Sequence, residues 1–153
     1  MPAVPEDLRM VDVGAKPVVA REATAEGLLR LRPATLEAVR GNRVPKGDVL
    51  ATARVAAIQA VKKTPDVLPL CHPIPITGVD VTLEVEAEGV RARVTVKADY
   101  KTGVEMEALT AVTLALLTVW DMTKALEKDE LGQYPSTRLE GVRVVEKHKG
   151  APR

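Results

Sequence analysis

Two runs in the middle of the chain alternate apolar and polar residues with a period of two. From Val79 to Ala87, Val79, Val81, Leu83 and Val85 fall on one side, and Asp80, Thr82, Glu84 and Glu86 on the other. From Val90 to Ala98, Val90, Ala92, Val94, Val96 and Ala98 share a side. This is the signature of strands with one covered face and one polar face, and Glu88-Gly89 between them predicts a hairpin. Val18 to Leu31 also reads as strand, with Gly27 at a bulge or bend. Leu139 to Val145 predicts a last strand, leading into the basic tail Lys147-His148-Lys149.

Elsewhere the spacing is helical. Pro33 to Val39 predicts a short helix with Pro in its first turn, stopping at Gly41-Asn42. A second helix is expected from about Gly47 to Lys63, on the recurrence of Val49, Leu50, Ala53, Ala56, Ala57, Ala60 and Val61, with Thr64-Pro65 ending it. Pro65, Pro69, Pro73 and Pro75 then keep the chain out of helix, because each lacks an N–H and restricts its predecessor. A long helix is expected from Thr102 to about Lys128. Thr102-Gly103-Val104-Glu105 has the spacing of a capping box. Val104, Ala108, Ala111, Ala115, Thr118 and Met122 form a stripe of mostly small residues suited to close packing.

The order is β, α, α, β, β, α, β. With the two early helices counted as one layer this is βαββαβ. The predicted class is α+β, a ferredoxin-like sandwich whose four-stranded antiparallel sheet carries helices on one face. Residues 1–153 are expected to form a single domain, with 1–17 and 147–153 flexible.

Composition narrows the chemistry. Apolar residues make up 46% of the chain but aromatics only 2%, so the core is expected to be built from Val, Leu, Ala and Met. A net charge of +1 argues against a general nucleic-acid binder. The RNA-binding modules of this topology stack bases on sheet aromatics, and these strands offer only Tyr100, at a strand end. The N-terminus lacks a basic region followed by an apolar run, and Ala108 to Val119 is too short to span a bilayer. No membrane association and a cytoplasmic location are therefore expected.

The single Cys71 excludes an internal disulfide. With His148 the only other histidine and no CxxC or HxxxH spacing, no metal site is expected. Cys71 and His72 are adjacent in an extended loop and point to opposite sides, which argues against a Cys/His nucleophile pair. Hydrogen bonding or proton transfer remains open to His72. Lys46-Gly47-Asp48 opens a helix and is suited to an anion. The long helix carries Glu105, Glu107, Asp121 and Lys124. Glu107 and Asp121 are two heptads apart, within about 40° of one face but roughly 21 Å apart along it. They cannot serve one small site from one straight helix. If both matter, two copies must pair antiparallel, and the small-residue stripe is the expected contact.

The segments Met10-Val11-Asp12-Val13, Lys46-Gly47-Asp48-Val49, Ala51-Thr52-Ala53-Arg54, Leu70-Cys71-His72-Pro73, Lys101 to Thr110, and Asp121-Met122 with Lys124-Ala125 resemble the cyclic pyranopterin monophosphate synthase (MoaC) family of molybdenum-cofactor biosynthesis. The resemblance spans residues 10–149. It implies a ferredoxin-like subunit in a homohexamer, a trimer of dimers with active sites at the dimer interfaces. It implies conversion of 3′,8-cyclo-7,8-dihydroguanosine triphosphate to cyclic pyranopterin monophosphate with loss of diphosphate. No metal or organic cofactor is implied. The small-molecule substrate, a cyclised GTP derivative, is expected from a radical S-adenosylmethionine enzyme. By position Asp121, Lys46 and Lys124 resemble catalytic residues. Leu70, Cys71, His72, Met106, Glu107, Glu105, Arg21 and Lys147 resemble substrate contacts. The alternative from another class is a ferredoxin-like binding or regulatory module without catalysis. The two separate on whether Lys46, His72, Glu107, Asp121 and Lys124 converge in space.

Overall fold

The computed structural model describes residues 7–152. Met1 to Glu6, with Pro2 and Pro5 of the expected flexible N-terminus, and Arg153 lie outside the described residues. The elements are β1 (Val19–Arg30), α1 (Pro33–Arg40), α2 (Val49–Val67), β2 (Ile76–Val85), β3 (Gly89–Tyr100), α3 (Glu105–Glu127) and β4 (Arg138–Pro152). The strands form one antiparallel sheet in the order β2-β3-β1-β4, the ferredoxin-like arrangement predicted from the sequence pattern.

The period-two pattern decides which face is covered. Val90, Ala92, Val94, Val96 and Ala98 of β3 are buried, as are Ala23, Ala25 and Leu29 of β1, and the helices cover this side. The other face is polar and laced with ion pairs. Glu26 meets Arg93 at 3.5 Å and Arg143 at 2.8 Å, and Thr24 and Thr95 share a cross-strand hydrogen bond of 2.7 Å. Gly27 sits at an irregularity in the β1–β4 register, as its lack of a side chain suggested. Packing adds a second reason. A Cβ there would stand 3.0 Å from Val112 Cγ1 and Val142 Cγ2, so the glycine lets α3 settle onto the sheet.

Four sequence expectations are corrected. Pro65 does not end α2, which continues to Val67. A proline in the last turn forgoes only one amide bond, and Leu68 N–H still reaches the Thr64 carbonyl at 2.9 Å. The capping box at Thr102 does not form. α3 starts at Glu105 with Val104 at the N-cap and no capping side chain, so Thr102 and Glu105 do not stand at the N-cap and N3 positions the box requires, and the Glu105 carboxylate lies 3.2 Å from Lys147 Nζ. The last strand runs beyond Val145 through the basic tail, with Ala23, Glu22 and Arg21 of β1 opposite Lys147, His148 and Lys149. A strand rich in charge fits here because β4 is an edge.

The fourth correction concerns α3. Its small-residue stripe does not face another copy. Val104, Ala108, Ala111, Ala115 and Met122 are buried within the chain, where α3 packs on the sheet and on α2. Ala53, Ala57 and Ala60 of α2 are buried as well, and small side chains on both helices permit the close approach. At 23 residues α3 is long and apolar enough to cross a membrane by length and composition, and one of its faces is buried within the chain.

Candidate active site

Residues singled out by sequence gather at the two ends of α3. At its C-terminal end, Asp121 Oδ2 accepts from Lys46 Nζ at 3.0 Å and Asp121 Oδ1 stands 3.1 Å from Lys124 Nζ. Lys46 also donates to the Asp121 carbonyl at 3.3 Å. The three side chains are roughly half exposed. Lys46 arrives from the loop after α1, in which Val44 is buried and Gly47 adopts a φ of 114°. The start of α2 beside it is already occupied. Asp48 accepts from Ala51 N–H, so the expected anion site there has a carboxylate of its own. Hydrogen bonds from Lys46 and then Lys124 hold the Asp121 carboxyl below its ordinary value of 3.8.

At the N-terminal end of α3 lies a cleft of about 650 Å³. The Pro-rich loop supplies Leu70, Cys71 and His72, the start of α3 supplies Glu105 and Met106, and the segment before β1 supplies Val11, Val13, Arg9 and Lys16. Beneath it Glu107 is buried. Its Oε2 accepts from the Cys71 thiol at 3.8 Å, and its Oε1 has no hydrogen-bond partner. Burial raises the Glu107 carboxyl above 4.5, opposed by its own amide and the Cys71 thiol. Burial, and then the nearby Glu107 charge, raise the Cys71 thiol above 9.0. Burial disfavours the charged form of each group, and a thiol raised in this way is a poor nucleophile.

Arg21 stands at the edge of this end. Its guanidinium donates to the carbonyls of Tyr100 and Lys101 at 3.5 and 3.2 Å, holding the connection from β3 to α3. Lys147 reaches the rim through Glu105. Thus Lys46, Asp121 and Lys124 converge, and Leu70, Cys71, His72, Met106 and Glu107 converge with Glu105 and Lys147 beside them. The two groups do not meet within one chain. Among the described residues no three His, Cys, Asp or Glu side chains are placed to hold a metal.

Two features were not anticipated. Arg9 and Lys16 line the cleft, although the sequence around them carries no charge pattern that marks them. Glu127, buried at the end of α3, accepts from Arg32 N–H at 3.1 Å, from the Thr137 hydroxyl at 2.6 Å and from the Thr35 hydroxyl. A signal existed. Pro33 opens α1 behind Arg32, which cannot cap, so an acceptor from elsewhere was needed.

Comparison with known proteins decides the family. The MoaC family model matches residues 10–150. The chain belongs to the MoaC family. It is 61% identical over 142 residues to a protein of Pyrococcus abyssi named as a probable cyclic pyranopterin monophosphate synthase, covering 93% of this chain and 89% of that one. A Thermococcus kodakarensis protein of the same name is 59% identical over 143 residues, covering 94% and 92%. A Methanothermobacter thermautotrophicus relative, named as a probable cyclic pyranopterin monophosphate synthase accessory protein, is 57% identical over 142 residues, covering 93% and 89%. The MoaC match includes both ends of α3, so the two clusters belong to the region shared with the family.

Proposed function

We propose that this protein is a cyclic pyranopterin monophosphate synthase of the cytoplasm, a lyase of molybdenum-cofactor biosynthesis that needs no metal or organic cofactor. It takes the cyclised GTP derivative delivered by a radical S-adenosylmethionine enzyme and releases diphosphate. The observation that carries this reading is the Lys46–Asp121–Lys124 cluster in a chain so similar to proteins bearing that name. Opening the purine-derived ring and closing a pyrazine ring require repeated proton transfers, work suited to lysines held beside a carboxylate. Forming the cyclic phosphate expels diphosphate, whose developing charge needs cations.

The active site is proposed to be shared between two copies. Met106, Thr110, Leu114, Leu117 and Asp121 recur at spacings of three and four on the face of α3 that this chain does not fully cover, and Met106 and Leu117 are exposed. A two-fold axis through Leu114, midway between Glu107 and Asp121, would set the cleft of one copy against the lysine–aspartate cluster of the other. This outer stripe replaces the buried small-residue stripe as the contact. Three such dimers would form the hexamer.

The test is diphosphate release from the cyclic triphosphate by the purified protein, with the pterin product identified by mass. Lys46→Ala and Lys124→Ala should each slow release by about 10²- to 10⁴-fold while fold and assembly persist. Failure of the unaltered protein to release diphosphate would overturn the reading. Near-normal turnover by both variants would overturn the roles given to the lysines.

A further inference from the structure

Lys46 Nζ and Asp121 Oδ2 meet at 3.0 Å from positions 75 residues apart, and both side chains are about half exposed. An exposed ion pair contributes little to its own placement. The backbones that carry the two residues must therefore be fixed from behind. For Asp121 that backbone is α3. For Lys46 it is α1 and the connection after it, which is pinned step by step. Gly41 N–H donates to the Glu37 carbonyl at 2.9 Å, Arg43 N–H to the Ala38 carbonyl at 2.8 Å, and Gly47 N–H to the Val44 carbonyl at 3.0 Å. Val44 is buried. The position of α1 thus determines where Lys46 emerges.

α1 has only eight residues, and its buried side chains are Thr35, Leu36 and Val39. Leu36 and Val39 hold it to the core, but apolar burial is non-directional. The buried polar contact lies at its start. Glu127 Oε2 accepts there from Arg32 N–H at 3.1 Å and from the Thr35 hydroxyl, while Oε1 accepts from the Thr137 hydroxyl at 2.6 Å. Glu127 ends α3, so its carboxylate stands at the negative end of its own helix and the positive end of α1. The first placement is unfavourable and the second favourable, so the acid at this position serves α1. Asp121 and Glu127 are six residues apart on α3, about 9 Å along it and roughly 120° around it. One helix end presents Asp121 to solvent and grips α1 on its buried side.

We propose that Glu127 is a positioning residue for the site: by holding the start of α1 to the end of α3, it sets Lys46 at the Asp121 carboxylate. The catalytic consequence rests on the proposed function, but the placement of Lys46 does not. Lys46 is also the main cause that lowers the Asp121 carboxyl, so moving Lys46 away raises that carboxyl whether or not turnover occurs.

The two hydroxyls on Glu127 separate positioning from stability. Thr35→Val keeps the side-chain shape and removes the tie to α1. Thr137→Val removes the tie to the approach of β4 and serves as the control. Each withdraws one hydroxyl from the same buried carboxylate, so both should lower the melting temperature. The test is steady-state kinetics with the cyclic triphosphate, with the Asp121 carboxyl titrated by NMR in the assembled protein. Both are run where circular dichroism shows every variant folded. Thr35→Val should lower kcat at least about tenfold with KM changed less than about threefold, because a displaced Lys46 impairs the reacting steps. It should raise the Asp121 carboxyl in the direction that Lys46→Ala does. Thr137→Val should leave kcat within about threefold and the Asp121 titration in place. Glu127→Gln should keep kcat close to the parent value, because its amide oxygen accepts from Arg32 N–H and Thr35 while its amide nitrogen donates to the Thr137 hydroxyl. Unchanged kcat and Asp121 titration in Thr35→Val would overturn the proposal, as would an equal loss of kcat in Thr137→Val. A raised Asp121 carboxyl in Thr35→Val, in a protein that does not turn over the cyclic triphosphate, would support the positioning while sinking the proposed function.

Discussion

Glu107 shows how much one position can depend on its surroundings. On the sequence it is a first-turn acid of a helix, a placement that the helix dipole alone would explain. In the fold it is buried beneath the cleft, with Cys71 as a weak donor and one oxygen unpartnered. A carboxyl raised by burial has a definite signature in stability. Between 4.5 and its raised native value, the folded chain keeps a proton that the unfolded chain has released. Stability therefore falls as pH rises through that window, by about 1.4 kcal/mol for each unit of displacement. Glu107→Gln removes the ionisation. Its stability relative to the parent should rise from pH 4 upward and level off above the native value, as read by urea unfolding at several pH values. A difference independent of pH would contradict a desolvated carboxyl. Asp121 is the opposite case, because two lysines depress it, and its ionised form survives to lower pH. The residue types at both positions were legible in the sequence. The burial that raises one and the Lys46 contact that lowers the other were not.

At the scale of elements, the strands were readable because each has one covered face, and a period of two records that directly. The ends were less readable. Thr102 and Glu105 have capping-box spacing, yet α3 starts only at Glu105, whose carboxylate lies beside Lys147, far away in sequence. Pro65 sits so near the end of α2 that its missing amide costs the helix little. The tie between elements at Glu127 was hidden for the same reason, since its three donors come from α1 and the approach to β4. Glu127→Ala should leave those donors unpaired in a buried site and cost about 3 kcal/mol or more. For a chain of this size that lowers the melting temperature by roughly 10 °C. A drop under about 3 °C in a calorimetric scan would show that the tie carries little of the stability. The consequence reaches the site, because α1 leads to Lys46 and α3 carries Asp121 and Lys124.

For the whole molecule, the decisive fact is that one straight helix separates the two clusters. Fourteen residues at the α-helical rise put Glu107 and Asp121 roughly 21 Å apart, and one chain does nothing to shorten that distance. The outer stripe of α3 with Val67 at the end of α2 and Leu68 just beyond it forms an apolar groove that leads from the cleft toward Asp121. If a second copy covers this groove, Leu117→Glu should break the assembly into smaller species by sedimentation velocity. Diphosphate release should fall with it by at least about 10²-fold, as expected for separating groups that act together. An intact oligomer with full activity in that variant would rule out the shared-site geometry.

The sequence by itself determined the strand faces, the βαββαβ order and which side chains carry reactive chemistry. Each follows from local periodicity or from residue type. Helix arithmetic, also local, already implied that the two ends of α3 serve different clusters. Only the tertiary structure decided which face of α3 is free. The small-residue stripe is equally suited to a neighbouring chain or to the sheet and α2, and its burial where α3 packs on both settles it. The fold also decided where the cations stand. Arg9 and Lys16 come to the cleft through a turn held by Lys101, a contact between residues far apart in the chain that no local pattern encodes.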